Sequence, residues 1–268
     1  LEGEVVGINT AIFSPSGGSV GIGFAIPADV VDSVTAELVK GGKITRGYIG
    51  ANIQPFTSDM AEAQGLGEQR GAIVAALVPG GPAERGGLKP GDVVTAVNGV
   101  AIKNSNELTR EVAKGRPGAT LKLSVIREGN RATVDVRSGS RPTEAQLALN
   151  SNDDDDTPTR PGATPPAVVR PPVLGMVLAP LDAAARSRLN LDEAINGVAI
   201  DSVRNGSDAS DKGLKKGDVI TSINTRPVNT PAEVAAAAEA AKKSGRANLT
   251  IGVFSGGRPS YRTLKVEG

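Results

Sequence analysis

Residues 86–99 read GGLKPGDVVTAVNG, and residues 212–224 repeat most of that motif as KGLKKGDVITSIN. The likeness covers residues 71–98 and 197–224, which align without a gap at a spacing of 126 positions. Such a spacing is too long for a solenoid, whose units run about 20–50 residues. It fits two copies of one domain near the usual size of about 100 residues. The function is therefore expected to reside in a domain that occurs twice in the chain.

The composition excludes several classes of function. Basic and acidic residues nearly cancel (30 and 29, net charge +1), so no basic field favours nucleic acid as a partner. Histidine and cysteine are both absent, which removes the commonest general base and every thiolate metal site. No run of about 20 apolar residues is present, so no membrane span is predicted. The sequence predicts no catalytic residue, no metal site and no cofactor.

Residues 1–45 are expected to be the tail of a larger domain. The pattern predicts strands at Glu4–Ile12 and Ser19–Ile26, followed by a helix that begins near Pro27 and ends at Gly41. Two strands and one helix are too few to enclose a hydrophobic core.

Two modules of short strands are predicted after this tail, at residues 46–140 and 172–268. The first should have strands near residues 50–54, 71–77, 93–97, 120–127 and 131–136, with helices at 82–86 and 105–114. The second should have a helix at 230–243, opened by Pro231. The predicted fold class is mainly β with short helices: two partial barrels of five to six strands with two helices each. Residues 141–171 contain four consecutive aspartates and several prolines, which predicts a flexible or extended linker.

The shared motif itself is expected to be structural. GGLKPGD reads as a tight turn that enters a core strand, and Asp92 and Asp218 are expected to cap that turn rather than to catalyse.

A short apolar–glycine–apolar element precedes the shared block in each copy, at residues 48–51 and 173–176. A glycine in such a turn lets successive backbone N–H groups face one direction, which suits an anion. An extended peptide can add to an open strand edge beside it and place its terminal carboxylate among these donors. The alternative is a turn with only a structural role, which the alanine-rich helix at 230–243 favours for the second copy.

These motifs resemble a known family in their order along the chain. RGYIGANIQ, GAIV, GGPAERGGLKPGDVVTAVNG, NELTREV and LKLSVIREG are similar to a bacterial-type PDZ domain, and the second copy is more divergent. Ahead of them, GEVVGINTAIFSPSGGSVGIGFAIP resembles the closing strands of the chymotrypsin-like protease domain in HtrA/DegP (Do-like) serine proteases. The family's GNSGG loop, histidine and aspartate have no match here, so no catalytic triad is carried over.

The resemblance implies site residues in three places. In the first module the implied peptide-binding residues are Arg46, Tyr48, Ile49, Gly50, Ala51, Leu108 and Val112. In the second module they are Leu174, Gly175, Met176, Val234 and Ala238. Asn9, Thr10, Ala11 and Ile12 match the strand that runs beside the substrate in such proteases.

The resemblance also implies a function for the longer protein. It would be a periplasmic serine endopeptidase of envelope protein quality control, assembled from trimers, whose PDZ modules capture apolar C-terminal ends of misfolded envelope proteins and regulate proteolysis or assembly. The chain alone should cut nothing. The alternative is a pseudoprotease, or a non-catalytic tandem-PDZ adaptor or chaperone.

Overall fold

The structure is a computed structural model that describes residues 3–14, 18, 20–41, 46–140, 172–193 and 195–266. The predicted linker at 141–171 lies outside the described residues. The chain forms two compact units, Leu1–Arg46 and Gly47–Gly268.

The first unit is a hairpin followed by a helix. Strand β1 (Gly7–Ile12) pairs antiparallel with β2 (Gly23–Pro27), and α1 (Ala28–Gly41) follows directly. The register shifts between Asn9 and Ala11. Many apolar side chains of the unit stay exposed, including those of Ile12 (64%) and Phe24 (57%). The predicted strands and helix are therefore present, and the unit has no buried core among its described residues.

The second unit contains both modules. The strands of the first module are β3 (Gly47–Tyr48), β4 (Ala51–Phe56), β5 (Gly71–Leu77), β6 (Val93–Val97), β7 (Val100–Ala101), β8 (Thr120–Arg127), β9 (Asn130–Arg137) and β10 (Gly139–Ser140), and its helices are α2 (Ser58–Ala63), α3 (Pro82–Arg85) and α4 (Ser105–Lys114). The strands of the second module are β11 (Met176–Pro180), β12 (Val198–Val203), β13 (Val219–Ile223), β14 (Arg226–Pro227), β15 (Asn248–Ser255) and β16 (Arg258–Lys265), and its helices are α5 (Ala183–Arg188), α6 (Asp208–Asp211) and α7 (Pro231–Lys243).

The two modules share one topology. The strand order is β4-β5-β6-β8-β9 in the first and β11-β12-β13-β15-β16 in the second, with β7 and β14 paired to β6 and β13. All of these pairs are antiparallel, and β4 and β11 are edge strands. The mainly β fold is confirmed, with open sheets rather than closed barrels. Among the described residues, each module has three helices rather than the predicted two, because α2 and α5 are six residues long and too short to show a helical period.

The repeat is strongest where the backbone needs unusual residues. Gly91 and Gly217 have φ values of +91° and +92°, and Asn98 and Asn224 have +50° and +46°. Glycine adopts this left-handed region freely, and asparagine tolerates it better than most residues. These pairs are identical in the two copies because both turns require the same conformation.

The carboxylate of Asp92 caps its turn, as predicted. Its Oδ2 accepts a hydrogen bond from Lys89 N at 2.8 Å, and Asp218 does the same for Lys215 N at 3.0 Å. In the first module alone, the Asp92 carboxylate also accepts two 2.7 Å hydrogen bonds from Arg127. The hydrogen bond that Arg127 donates to Asp92 raises the pKa of the Arg127 guanidinium, although burial opposes the shift.

This difference predicts unequal effects of one substitution at the two turns. Asp92→Asn should lower the free energy of unfolding by about 2 kcal/mol, because hydrogen bonds to charged groups contribute about 1.5–3 kcal/mol. Asp218→Asn should lower the free energy of unfolding by less, because among the described residues Asp218 has no salt bridge. Urea unfolding of the two variants measures the difference, and equal losses would contradict it.

The two modules pack against each other. A hydrophobic cluster joins Phe56, Met60, Ile73 and Ile126 of the first module to Tyr261 of the second. Hydrogen bonds accompany it: Tyr261 N donates to Gln54 Oε1 (2.8 Å), Arg246 Nη1 to Ala63 O (3.3 Å) and Asn248 Nδ2 to Glu62 Oε2 (3.4 Å). The sequence predicted two modules on a linker and gave no sign of this interface.

Candidate functional site

The apolar–glycine–apolar loop of the first module presents backbone N–H groups to its open side. Gly50 has φ +71°. The carbonyl oxygen of Ile49 accepts from Ala83 N at 2.7 Å, and that of Gly50 accepts from Val78 N at 2.8 Å. The C=O and N–H of one trans peptide unit point in opposite directions. The N–H groups of Gly50 and Ala51 therefore point away from Ala83 and Val78, an arrangement of donors that suits a carboxylate.

Two residues that the sequence did not single out hold this loop in place. Tyr48 N donates to Ser138 Oγ at 3.1 Å, and Ser138 is only 3% exposed. A Cβ on Gly47 would lie 2.4 Å from the carbonyl oxygens of Val112 and Gly115, so only glycine fits against the end of α4. A single serine at the end of a strand gives no sign of this role in the sequence. The first glycine of RGYIG is visible in the sequence, but the pattern does not show that it packs against a helix.

Strand β4 provides an open edge next to the loop. Because Val78 N bonds Gly50 O on the β5 side, the N–H and C=O of Ala51 face the open edge. Pro55 has no N–H and pairs with Ala72, so the ladder bonds to β5 fall on Gln54 and Phe56. Ile53 therefore also faces the open edge. This edge offers N–H donors at Ala51 and Ile53 and none at Pro55.

The apolar side chains predicted for this groove lie in or against the core of the first module. Ile49 (5% exposed), Leu108 (0%) and Val112 (6%) belong to its core cluster, and Ala51 and Ile53 pack against that cluster half-buried. Leu108 and Val112 thus support the groove from within rather than standing open on its wall.

Arg46 is the one predicted residue of this groove that belongs to the first compact unit. It is exposed and is the last residue of the first unit, and its predicted role at the groove stays a prediction.

The corresponding loop of the second module is closed on itself. Val173 N donates to Met176 O at 2.8 Å, and Met176 N donates back to Val173 O at 2.9 Å. Leu174 and Gly175 between them have φ values of +53° and +77°, the pattern of a tight type I′ turn. The N–H of Met176, which corresponds to Ala51, is thereby used within the turn.

The remaining predicted residues of the second module are mostly buried. Leu174 (9% exposed), Met176 (0%) and Val234 (0%) belong to its core cluster, and Ala238 packs against that cluster half-buried. The structure brings these side chains together in the core.

Asn9, Thr10, Ala11 and Ile12, predicted beside the substrate of a protease, lie on β1 of the first unit and are exposed. Thr10 Oγ1 donates to Phe24 O at 3.2 Å across the hairpin. Among the residues that the structure describes, no cluster of three acidic side chains could hold a metal ion. No helix in the described part of the chain is both long and apolar enough to cross a membrane.

Comparison with known proteins adds to this geometry. The PDZ domain family matches residues 47–137 and 172–254. A probable periplasmic serine endoprotease, DegP-like, of Rhizobium meliloti (strain 1021) is 43% identical over 246 residues, which is 92% of this chain and 46% of that protein. The protein of the same description from Brucella suis biovar 1 (strain 1330) is 38% identical over 267 residues, covering 100% of this chain and 48% of its own length.

The chain thus spans about half the length of the curated relatives it matches. A solved structure, the HtrA-type protease AlgW with a tripeptide, is 40% identical to this chain. The match covers 53% of this chain and 48% of that one, with a TM-score of 0.49.

Proposed function

Because this chain belongs to the PDZ domain family and corresponds to the C-terminal PDZ region of HtrA/DegP-type proteases, we propose that its first module binds the C-terminal ends of extended polypeptides. The observation that carries this proposal is the pair of N–H groups at Gly50 and Ala51, which point away from Ala83 and Val78 next to the open edge of β4. A peptide added antiparallel to β4 places its terminal carboxylate on these donors.

The parent protein would be a periplasmic serine endopeptidase. The relatives with this name match the chain over most of its length, and the hairpin of the first unit resembles the closing strands of their protease domain. Its substrates would be misfolded envelope proteins, and the modules would regulate proteolysis or assembly, with a trimer-based oligomer as the working form. A chain without histidine has no base for a Ser-His-Asp triad, so the 268 residues should cleave nothing alone.

The second module would pack against the first module rather than bind a peptide. Its loop uses the N–H of Met176 internally, and its sheet instead contacts the first module through Tyr261. This supports one peptide site per chain.

Fluorescence polarisation with the whole 268-residue chain tests the capture. A labelled peptide that ends in an apolar residue with a free carboxylate should bind, and its C-terminal amide should bind at least about tenfold more weakly. The reason is that a charge-assisted hydrogen bond contributes about 1.5–3 kcal/mol and each 1.4 kcal/mol is a factor of ten. Equal binding of the acid and the amide would contradict the proposal and would favour an adaptor that binds internal segments of polypeptides.

The position of Pro55 predicts how many residues of a bound peptide form hydrogen bonds with β4. A tripeptide reaches the donors at Ala51 and Ile53, and a longer peptide meets Pro55, which has no N–H to donate. Pro55→Ala should therefore tighten a pentapeptide about threefold to tenfold, the value of one hydrogen bond of about 0.5–1.5 kcal/mol, and leave a tripeptide unchanged. The same polarisation assay measures this, and equal gains for both peptides would place the strand elsewhere.

A further inference from the structure

A cleft of about 520 Å³ opens where the two modules meet. We call it the junction cleft. Its walls come from the end of α2 and the β8–β9 turn in the first module, and from the β13–β14 hairpin and the C-terminal half of α7 in the second. No residue of β4 or β11 lines it, so it is separate from both peptide grooves. Its volume lies within the roughly 300–1,000 Å³ usual for sites that bind small molecules.

The cleft exists because α7 carries alanines. The N-caps Asn104 and Thr230 align at the repeat spacing, with Glu107 and Glu233 at the third helical position of each helix. At the same spacing, Glu111 and Lys114 of α4 correspond to Ala237 and Ala240 of α7. In α4 these two side chains form an ion pair at 2.6 Å. Their replacement by methyl groups leaves open space between α7 and the first module.

Polar donors are among the residues that line the cleft. Nε2 of Gln64 is buried and has no hydrogen-bond acceptor among the described residues. Arg246 lies beside it, since its Nη1 donates to Ala63 O at 3.3 Å. Arg226 also lines the cleft, and within the described part of the chain no carboxylate forms a salt bridge with it. A buried amide N–H needs an acceptor, and two guanidinium groups favour an anionic one.

Apolar side chains line the cleft as well. They are Ile223 (3% exposed), Val228 (6%), Ala241 (3%) and Ala237. The one acidic side chain that lines the cleft, Glu128, is exposed. Guanidinium and amide donors together with small apolar side chains suit a ligand with an anionic head and a short aliphatic body.

We propose that the junction cleft binds an aliphatic carboxylate, with the carboxylate on Gln64 and Arg246 and the aliphatic part along α7. Such a ligand touches both modules and would hold them together, because binding to the docked state stabilises it by mass action. The carboxylate could come from a fatty acid or from a short apolar peptide end, which are chemically alike at the head group.

Nuclear magnetic resonance of the ¹⁵N-labelled 268-residue chain tests the proposal with sodium octanoate. Saturable shifts are expected for the Gln64 side-chain amide and for the backbone amides of Ala237 and Ala241. Octylamine, with the same chain and the opposite charge, should leave the Gln64 amide unmoved. An acetylated Ala-Leu dipeptide distinguishes the two sources. Shifts at Gln64 would show that peptide ends bind in the junction cleft. Shifts only at Gly50 and Ala51 would show that peptide ends bind at the groove of the first module and that the ligand of the cleft is a fatty acid.

Variants separate this site from unspecific adsorption. Ala237→Glu restores the side chain of the first module and should abolish the octanoate shifts, whereas Ala236→Glu, an exposed neighbour outside the cleft, should keep them. Gln64→Leu should weaken binding about tenfold, the value of a charge-assisted hydrogen bond. Octanoate shifts that persist in Ala237→Glu, equal shifts from octylamine, or no shifts at Gln64 in the unaltered chain would each overturn the proposal.

Discussion

Gly50→Val is expected to reduce C-terminal peptide binding at least about 100-fold. Gly50 has φ +71°, a region that costs an L-residue about 1–2 kcal/mol and is worse for a β-branched side chain. A Cβ there would also lie 3.2 Å from Pro82 Cδ, so the loop must shift. Any shift turns the N–H groups of Gly50 and Ala51 away from the carboxylate. Fluorescence polarisation with a free-carboxylate peptide measures the loss.

The matched control is Gly175→Val in the second module. Gly175 has φ +77°, so the substitution introduces similar backbone strain in the same fold. Its loop is closed by the two hydrogen bonds between Val173 and Met176, and peptide affinity should stay unchanged. Circular dichroism confirms that both variants are folded. A loss of binding in Gly175→Val alone would show that the second module carries the site.

Tyr261→Ala is expected to separate the two modules. The side chain is 8% exposed and packs in a cluster with Ile73 and Ile126 of the first module. Its hydroxyl approaches Gly91, where a Cβ would lie only 3.1 Å from Oη. Truncating a buried aromatic residue to alanine costs about 3–5 kcal/mol. The free energy of unfolding should fall by about that amount, and scanning calorimetry should resolve two transitions instead of one.

Tyr261→Phe is the control, because it keeps the ring and should keep the single transition. Small-angle scattering gives an independent reading, since the radius of gyration should rise in Tyr261→Ala and stay constant in Tyr261→Phe. A single transition at an unchanged temperature in Tyr261→Ala would mean that the hydrogen bonds alone hold the interface.

The interface should also weaken at alkaline pH. Burial raises the pKa of Tyr261 above its ordinary 10.0, the nearby hydroxyl of Ser222 opposes the shift, and the charge of Asp92 adds to it. A raised folded-state pKa means that the stability from the neutral phenol is fully present below about pH 10 and is lost as the pH rises through the folded value. The melting temperature should therefore fall more steeply above pH 10 in the unaltered chain than in Tyr261→Phe. Equal falls in the melting temperature of the two proteins would show that the Tyr261 phenol is not the cause.

Local elements could be predicted well from the sequence because each has a local cause. The strands at 71–77, 93–97 and 120–127 and the helix at 105–114 have the predicted bounds, set by apolar runs and by the N-cap Asn104. Helices α2 and α5 were missed, since their caps, Thr57 and Asp182, are common residues in loops as well.

The candidate site was predictable only in part. The sequence predicted the loop at 48–51 as the position of the donors, because a glycine between apolar residues is visible in the chain. It did not show that the Ser138 hydroxyl fixes Tyr48 or that Leu108 is wholly buried, because these contacts join residues far apart in the sequence.

The sequence by itself determined that one fold occurs twice, since the turns at Gly91 and Gly217 require the same left-handed backbone and so keep the same residue. Only the tertiary structure decided that the corresponding loops of the two copies differ in their hydrogen bonds. The loops at 48–51 and 173–176 have the same pattern of residue types, yet hydrogen bonds leave the first open and close the second. The apolar strand GAIVAAL also predicts burial on both faces, but the partner on the outer face, Tyr261, comes from a strand nearly two hundred residues away. Partners at that distance are set by packing, which no local pattern records.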